Sequence, residues 1–349
     1  MKAAPPLPAC DLEDIKEATR ELWHEAAGKR FFITGGTGFF GMWLLESFIH
    51  INDSLSLGMK AAVLTRDTAR FIAKAPHLSR RADLQFITGD IRNFHFPVRK
   101  VDYLIHAATE ASAILNSESP HEMLSSIVDG TRHLLDFAAR AGARKLLFTS
   151  SGAVYGRQPP ELTHIPETYQ GAPDPLLPHS AYGEGKRVAE HLCALHAQKY
   201  GFEVKIARCF AFVGPHLPLN AHFAIGNFIR DAMKGDDITI MGDGTTMRSY
   251  LYAADLAIWL WTMLFSAPSG RAYNVGSAAD LSIADLAGQV REALGCKSAI
   301  SITRQHDPDS PPERYVPDVS RAEGELGLRV QTSLQEALMR TEQWHQVAG

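Results

Sequence analysis

The stretch Arg30-Phe31-Phe32-Ile33-Thr34-Gly35-Gly36-Thr37-Gly38-Phe39-Phe40-Gly41 restricts what this chain can become more than any other. A short apolar run ends in glycines, and an apolar pattern of helical period (Met42, Trp43, Leu44, Leu45, Phe48, Ile49) follows at once. The sequence therefore predicts strand, tight turn and helix. Gly35, Gly38 and Gly41 stand three apart, each where a side chain is costly. The first serves a turn of positive φ, the second a backbone that a pyrophosphate can approach, the third close packing of helix on strand. The helix behind them turns unpaired N–H groups and its positive dipole end toward such an anion. Gly35, Thr37, Gly38, Phe39 and Phe40 are the expected dinucleotide contacts. A glycine turn that binds nothing would share the spacing, but the position between strand and helix favours the nucleotide.

Further strands are expected at Ala61–Thr65, Leu84–Thr88, Val101–His106, Lys145–Thr149 and Val204–Arg208, with long helices over about Pro120–Arg140 and from Ser180 to about Tyr200. Strands and helices alternating at this spacing predict an α/β chain with a Rossmann-type, doubly wound parallel sheet. Ligands of such sheets bind beyond the carboxyl ends of the strands, where Gly35, Asp90, Ala107 and Ser150 fall. At the end of the second strand stand Thr65-Arg66, with Asp67 late for the usual ribose carboxylate. A guanidinium suits a 2′-phosphate, so NADP(H) is favoured and NAD(H) is the alternative. Residues 157–180 carry many prolines and read as a loop crossing the site. After Arg208 the rhythm loosens. The expected division is an N-terminal helical extension over 1–28, a nucleotide-binding domain over 29–210, and a smaller C-terminal substrate-binding lobe over 211–349, interleaved with the sheet. The extension, amphipathic over 11–27, reads as a solvated cap.

The chain has 349 residues, 45% hydrophobic and 21% charged, with a formal net charge of −4, ordinary for a globular enzyme. That balance points to neither a nucleic-acid nor a membrane partner. Cys10, Cys193, Cys209 and Cys296 are far apart and the histidines show no metal-ligand spacing, so no metal is expected. Met1 to Cys10 has no apolar core of the leader type, and no apolar run is long enough to span a bilayer. The expectation is a cytoplasmic protein.

Tyr182-Gly183-Glu184-Gly185-Lys186 places a phenol and an ammonium four apart, on one helix face. A neighbouring cation is expected to draw the phenol's pKa down toward useful acid/base chemistry. Alone the pair is common. It gains weight from Thr149-Ser150-Ser151-Gly152-Ala153-Val154-Tyr155-Gly156, which supplies a hydroxyl at a strand end, and Ser151 is the expected donor to the reacting oxygen.

At these residues the sequence resembles the extended short-chain dehydrogenase/reductase family, the NAD(P)-dependent sugar-nucleotide epimerases and dehydratases. Further matching segments are Gly89-Asp90-Ile91, His106-Ala107-Ala108, Arg208 to Pro215, Gly242-Asp243-Gly244 with Arg248, Asp255, and Tyr273-Asn274-Val275-Gly276. The resemblance implies Ser151, Tyr182 and Lys186 as catalytic residues, with the last two also against the cofactor. It places Asp90 and Ile91 near the adenine, and Ala107 and Ala108 beside the cofactor. It assigns Arg248, with Arg314 as a second candidate, to the diphosphate of a nucleoside-diphosphate sugar. It also implies a homodimer built on two long helices.

The departures narrow the reaction. The similar 4,6-dehydratases carry Asp-Glu straight after the catalytic hydroxyl residue, and the decarboxylases a Glu at the second of these places; here Gly152 and Ala153 transfer no proton. Ile127 and Ala211 stand where two family asparagines are usual. The expected activity is a C4 oxidoreductase, first a 4-ketoreductase, with a 4-epimerase as the alternative. A 4,6-dehydratase with acids relocated to Glu184 or Glu110, or a non-catalytic NADP-binding scaffold, are the remaining readings.

Overall fold

Residues Phe31 and Ile33 of β1 (Arg30–Thr34) join one apolar cluster, with Trp43 and Phe48 of α2 (Phe39–Ser54). Phe32, between them, joins another with Leu134 and Phe137 of the helix Pro120–Ala141. Alternate residues point to opposite faces, so a strand buried on both sides belongs inside a sheet with helices on each face. The computed structural model describes residues 3–96, 100–108, 113–221, 223–307 and 309–348.

Five more strands, β2 (Lys60–Thr65), β3 (Leu84–Thr88), β4 (Tyr103–His106), β5 (Lys145–Ser151) and β6 (Glu203–Cys209), join β1 and the strand Arg271–Val275 in one sheet. The order is Arg271–Val275, β6, β5, β4, β1, β2, β3, and every neighbouring pair is parallel. The chain runs outward from β1 to β3, then returns to β4 on the other side of β1. That reversal opens a crevice beyond the carboxyl ends of β1 and β4, where sheets of this kind hold nucleotides. The strand Arg271–Val275 comes from the last third of the chain, which accounts for the interleaving. Apart from the sheet, Met247–Ser249 pairs with Asp280–Ser282 on one side and Arg314–Tyr315 on the other.

The N-terminal segment is not a solvated cap. Its helix α1 (Ala9–Thr19) gives way to a tighter turn at Arg20–Ala26, and Ile15, Trp23 and Ala26 are wholly buried. Trp23 packs edge-on against Trp261, ring centroids 4.7 Å apart, in the nearly all-buried helix Ala253–Ser266. The Tyr252 hydroxyl donates to Asp11 at 2.7 Å, and Arg340 pairs with the same carboxylate. The polar residues of this stretch cover an apolar stripe that the core takes up. Among the described residues no helix is long and apolar enough to cross a membrane.

Candidate active site

Gly35 follows β1 with φ +71°, and a Cβ there would lie 2.3 Å from the Ala107 carbonyl oxygen. Only glycine lets the turn pass this close to the end of β4. At Gly38 a Cβ would meet nothing nearer than 3.5 Å, so the space above it is not filled by protein. Gly38 is the N-cap of α2 and offers no side-chain cap, which leaves the first-turn N–H groups, those of Phe39 and Phe40 included, for an anion. Thr37 lies in the same turn. These features fit a dinucleotide pyrophosphate laid on the turn, with Ala107 and Ala108 leaving room for a ring beyond β4.

Around that crevice, Arg66 is exposed at the end of β2. Asp67 caps α3 (Thr68–Lys74), accepting from the Arg70 N–H at 2.8 Å. Asp90 follows β3 and is gripped by Arg92 through both oxygens, at 2.8 and 2.9 Å, which holds its carboxyl below the usual range. Ile91 is buried beside it. Thr109 and Glu110 lie outside the described residues.

The catalytic candidates converge. Ser151 ends β5 and its hydroxyl accepts from the Ala153 N–H at 3.1 Å, which fixes its orientation. Tyr182 lies in the first turn of the helix Ala181–Tyr200, where its backbone N–H is held by Asn116 Oδ1 at 3.0 Å. Its hydroxyl lies close enough to that of Ser151 for the serine to favour the phenolate. Lys186, one turn on, donates to the Thr149 carbonyl at 2.7 Å, and its ammonium stands 5.9 Å from the centre of the Tyr182 ring. Burial pushes the Tyr182 phenol up to about 12, against the lowering effect of the Ser151 hydroxyl. Burial likewise pushes Lys186 down to about 8. Desolvation thus dominates the phenol in this form, where the sequence leads one to expect a lowering by Lys186.

Sequence reasoning passed over Tyr315. Its hydroxyl lies 3.4 Å from Ser151 Oγ and its ring 4.7 Å from that of Phe210, centre to centre. A Cβ at Gly152 would come within 2.8 Å of the Tyr315 hydroxyl and 2.7 Å of the Phe210 ring. The space that a side chain at position 152 would need is thus filled by a phenol and a phenyl ring. Tyr315 sits opposite Arg248 in register, and that guanidinium lies 5.7 Å from the ring centre. Arg314, on the alternate face of the strand, donates to Asp280 at 3.0 Å. Glu184 is two residues from Tyr182, turned away on the helix, and pairs at 3.9 Å with Arg187. Ile127, in place of an asparagine, packs toward Gly185.

Beneath the site runs a polar chain. Ser150 donates to Glu190 at 2.5 Å, and Arg208 grips the same carboxylate at 3.0 and 2.7 Å. Arg208 also donates to the Tyr155 hydroxyl at 2.9 Å, which donates to Asn274 Oδ1 at 2.8 Å. Asn274 in turn donates to the carbonyls of Ile165 and Asp318. Ser150, Tyr155, Arg208 and Asn274 stand inside motifs, whereas Glu190, which joins them, carried no sequence signal.

His106, at the end of β4, is fully buried between the hydroxyls of Thr34 and Thr131, at 2.9 and 3.1 Å. Burial lowers it to about 3, with Lys186 adding to the effect. A histidine lowered in the fold takes up its proton more readily unfolded, so its contribution is complete above the free value near 6.5 and fades as pH falls toward 3. The loss, once pH is below both values, is about 5 kcal/mol. Melting temperatures measured from pH 7 to 4 are expected to fall, and a His106→Asn variant to show a flatter slope.

The fold and this cluster define a short-chain dehydrogenase-type oxidoreductase scaffold. The NAD dependent epimerase/dehydratase family matches residues 31–276, and the chain belongs to it, among the extended short-chain dehydrogenases/reductases. UDP-glucuronic acid decarboxylase 1 of Xenopus tropicalis is 32% identical over 314 residues, 90% of this chain and 71% of that one. UDP-glucuronic acid decarboxylase 5 of Arabidopsis thaliana is 31% identical, over 88% of this chain and 87% of its own. Among solved structures, DesIV, a dTDP-glucose 4,6-dehydratase from Streptomyces venezuelae with NAD and TYD bound, superposes with a TM-score of 0.77 at 25% identity, covering 91% of this chain and 97% of DesIV. The dinucleotide named there is NAD, which lends no support to an NADP preference.

Proposed function

We propose that this protein is an NAD(P)-dependent oxidoreductase that acts at C4 of a nucleoside-diphosphate sugar, as a 4-ketoreductase. The observation that carries it is the convergence of Ser151, Tyr182 and Lys186 at the tip of β5, next to the glycine turn. A dinucleotide held on the turn from Gly35 to Phe40 would supply or accept the hydride. Tyr182 gives the proton to the C4 oxygen, or takes it, while Ser151 and Tyr315 orient that oxygen by hydrogen bonds. Lys186 places its charge one turn from the phenol and favours the phenolate as it forms. Arg248 is the residue for the diphosphate, and a planar guanidinium suits that anion. NADP(H) is the finer cofactor reading, supported by Arg66 at the end of β2 and by Asp67 being committed to a helix cap. NAD(H) is the alternative.

A second reading is a redox-neutral enzyme that returns the hydride to the sugar, a 4-epimerase or a decarboxylase. The names of the relatives favour it. Gly152 and Ala153, with no proton to give, weigh against the decarboxylase and against a dehydratase. The deciding experiment incubates the protein with UDP-glucose, UDP-glucuronic acid and a 4-keto sugar nucleotide, following absorbance at 340 nm and products by mass spectrometry. Net NADPH oxidation with the keto sugar supports the reductase. Epimer or pentose formation without net oxidation replaces it with the second reading. The homodimer proposal rests on Leu124, Val188 and Leu195, apolar and exposed on the two long helices; sedimentation velocity measures it.

Two substitutions test the filled space beside Ser151. Tyr315→Phe removes one hydroxyl and is expected to lower kcat/KM about tenfold, the worth of one hydrogen bond to substrate. Gly152→Asp forces the Phe210 and Tyr315 rings aside. It is expected to cost about 1–3 kcal/mol of stability, read by thermal melts, and to yield no 6-deoxy-4-keto product.

A further inference from the structure

The helix Ala181–Tyr200, which carries Tyr182 and Lys186, begins without a cap of its own. Ser180 precedes it, and the serine side chain accepts no hydrogen bond from the first turn. The leading N–H groups of a helix have no partner within it, so they must find one elsewhere. Here the partner comes from 66 residues upstream. Asn116, half-buried on the short helix Ala113–Glu118, accepts the Tyr182 N–H on Oδ1 at 3.0 Å. Its Nδ2 donates to the His179 carbonyl at 2.6 Å, in the tight turn Pro178–Ser180 that leads into the helix. One side-chain amide thus clasps both sides of the junction. Its orientation follows from its partners, since a flipped amide would set donor against donor and oxygen against oxygen.

The clasp falls on the backbone of the residue whose side chain the chemistry needs. Gly183 and Gly185 come next, and glycines lower a turn's own preference for helix. At Gly183 a Cβ would lie 2.7 Å from the Ala153 carbonyl oxygen, so the helix start rests directly on the residues after Ser151. A first turn weakened in this way, and seated against the strand tip it must serve, depends on an outside tie to keep its place. The tie comes from the cofactor side of the crevice, because the helix Ala113–Glu118 follows Ala107 and Ala108 beyond the end of β4. We propose that Asn116 is a positioning residue for the C4 chemistry, fixing the first turn of the helix so that the Tyr182 hydroxyl stays on the reacting oxygen beside Ser151. The inference rests on Tyr182 as the acid/base. A misplacement of about 1 Å costs about 10²-fold in rate, so a tie at this backbone bears on turnover more than on stability.

Asn116→Ala removes both bonds of the full chain's clasp. With the substrates named above, its kcat is expected to fall about tenfold or more, with KM changed only a few-fold. Asn116→Asp keeps an acceptor for the Tyr182 N–H at a helix N-terminus and is expected to recover most of that rate. A loss carried through the phenol disappears once the phenol is gone. Asn116→Ala added to Tyr182→Phe is therefore expected to slow the enzyme no further than Tyr182→Phe does alone. Hydrogen exchange at the Tyr182 amide reports the tie itself, about tenfold faster or more in Asn116→Ala and close to the parent in Asn116→Asp. Unchanged kcat or unchanged exchange in Asn116→Ala, equal losses in the alanine and aspartate variants, or losses that add in the double variant would each overturn the proposal. A fully active Tyr182→Phe enzyme would overturn the C4 reading along with it.

Discussion

A Tyr182→Phe enzyme is expected to turn over roughly 10²–10⁴-fold more slowly, with KM changed only a few-fold. The substitution keeps the ring, its burial and its packing, and removes one hydroxyl. That hydroxyl lies close to that of Ser151 and stands a turn from Lys186. Thermal melting is expected to stay close to the parent, which separates loss of chemistry from loss of fold. The phenol's elevated position, about 12, sets a direction as well. In ketone reduction the protonated phenol is the useful form and is full across neutral pH, so the rate is flat there. In alcohol oxidation the phenolate is needed, so that rate climbs with pH. Steady-state kinetics in both directions from pH 6 to 9 check both slopes, and an unimpaired phenylalanine variant would remove Tyr182 from the mechanism.

Gly35→Ala is expected to abolish dinucleotide binding and to cost about 3 kcal/mol or more of stability. Two effects add. An alanine at φ +71° is strained, and its methyl would sit 2.3 Å from the Ala107 carbonyl oxygen. The neighbour is backbone at the end of β4, so neither side can yield without moving a central strand. Calorimetric titration with NAD⁺ and NADP⁺ alongside chemical denaturation measures both losses. Retention of tight binding would mean that the turn does not carry the pyrophosphate.

Much of this was legible in the chain because local pattern and tertiary role agree. The run from Arg30 to Gly41 reads as strand, turn and helix, and forms them, since each glycine answers a local geometric demand. The same holds for Tyr182 and Lys186, whose spacing alone puts them on one helix face. Tyr315 escaped notice for the opposite reason. Its place beside Ser151 depends on a two-residue strand pairing with Met247–Ser249, a contact across more than sixty residues that no local pattern announces. The N-terminal helix was misjudged because its polar residues outnumber the few apolar ones that count. Ile15 and Trp23 are buried only because the helix Ala253–Ser266 offers them an apolar wall. Desolvation of Tyr182 was equally out of reach, since pairing can be read from spacing while burial depends on the whole fold.

The chain of side chains from Ser150 through Glu190, Arg208 and Tyr155 to Asn274 has an implication for re-engineering. It laces β5, β6 and the strand Arg271–Val275 to the segments around Ile165 and Asp318, so the floor under the reacting carbon has little slack. A laboratory lineage selected for a new sugar should therefore accumulate its changes in the roof, at Phe210, Arg248 and Tyr315, and leave that truss untouched.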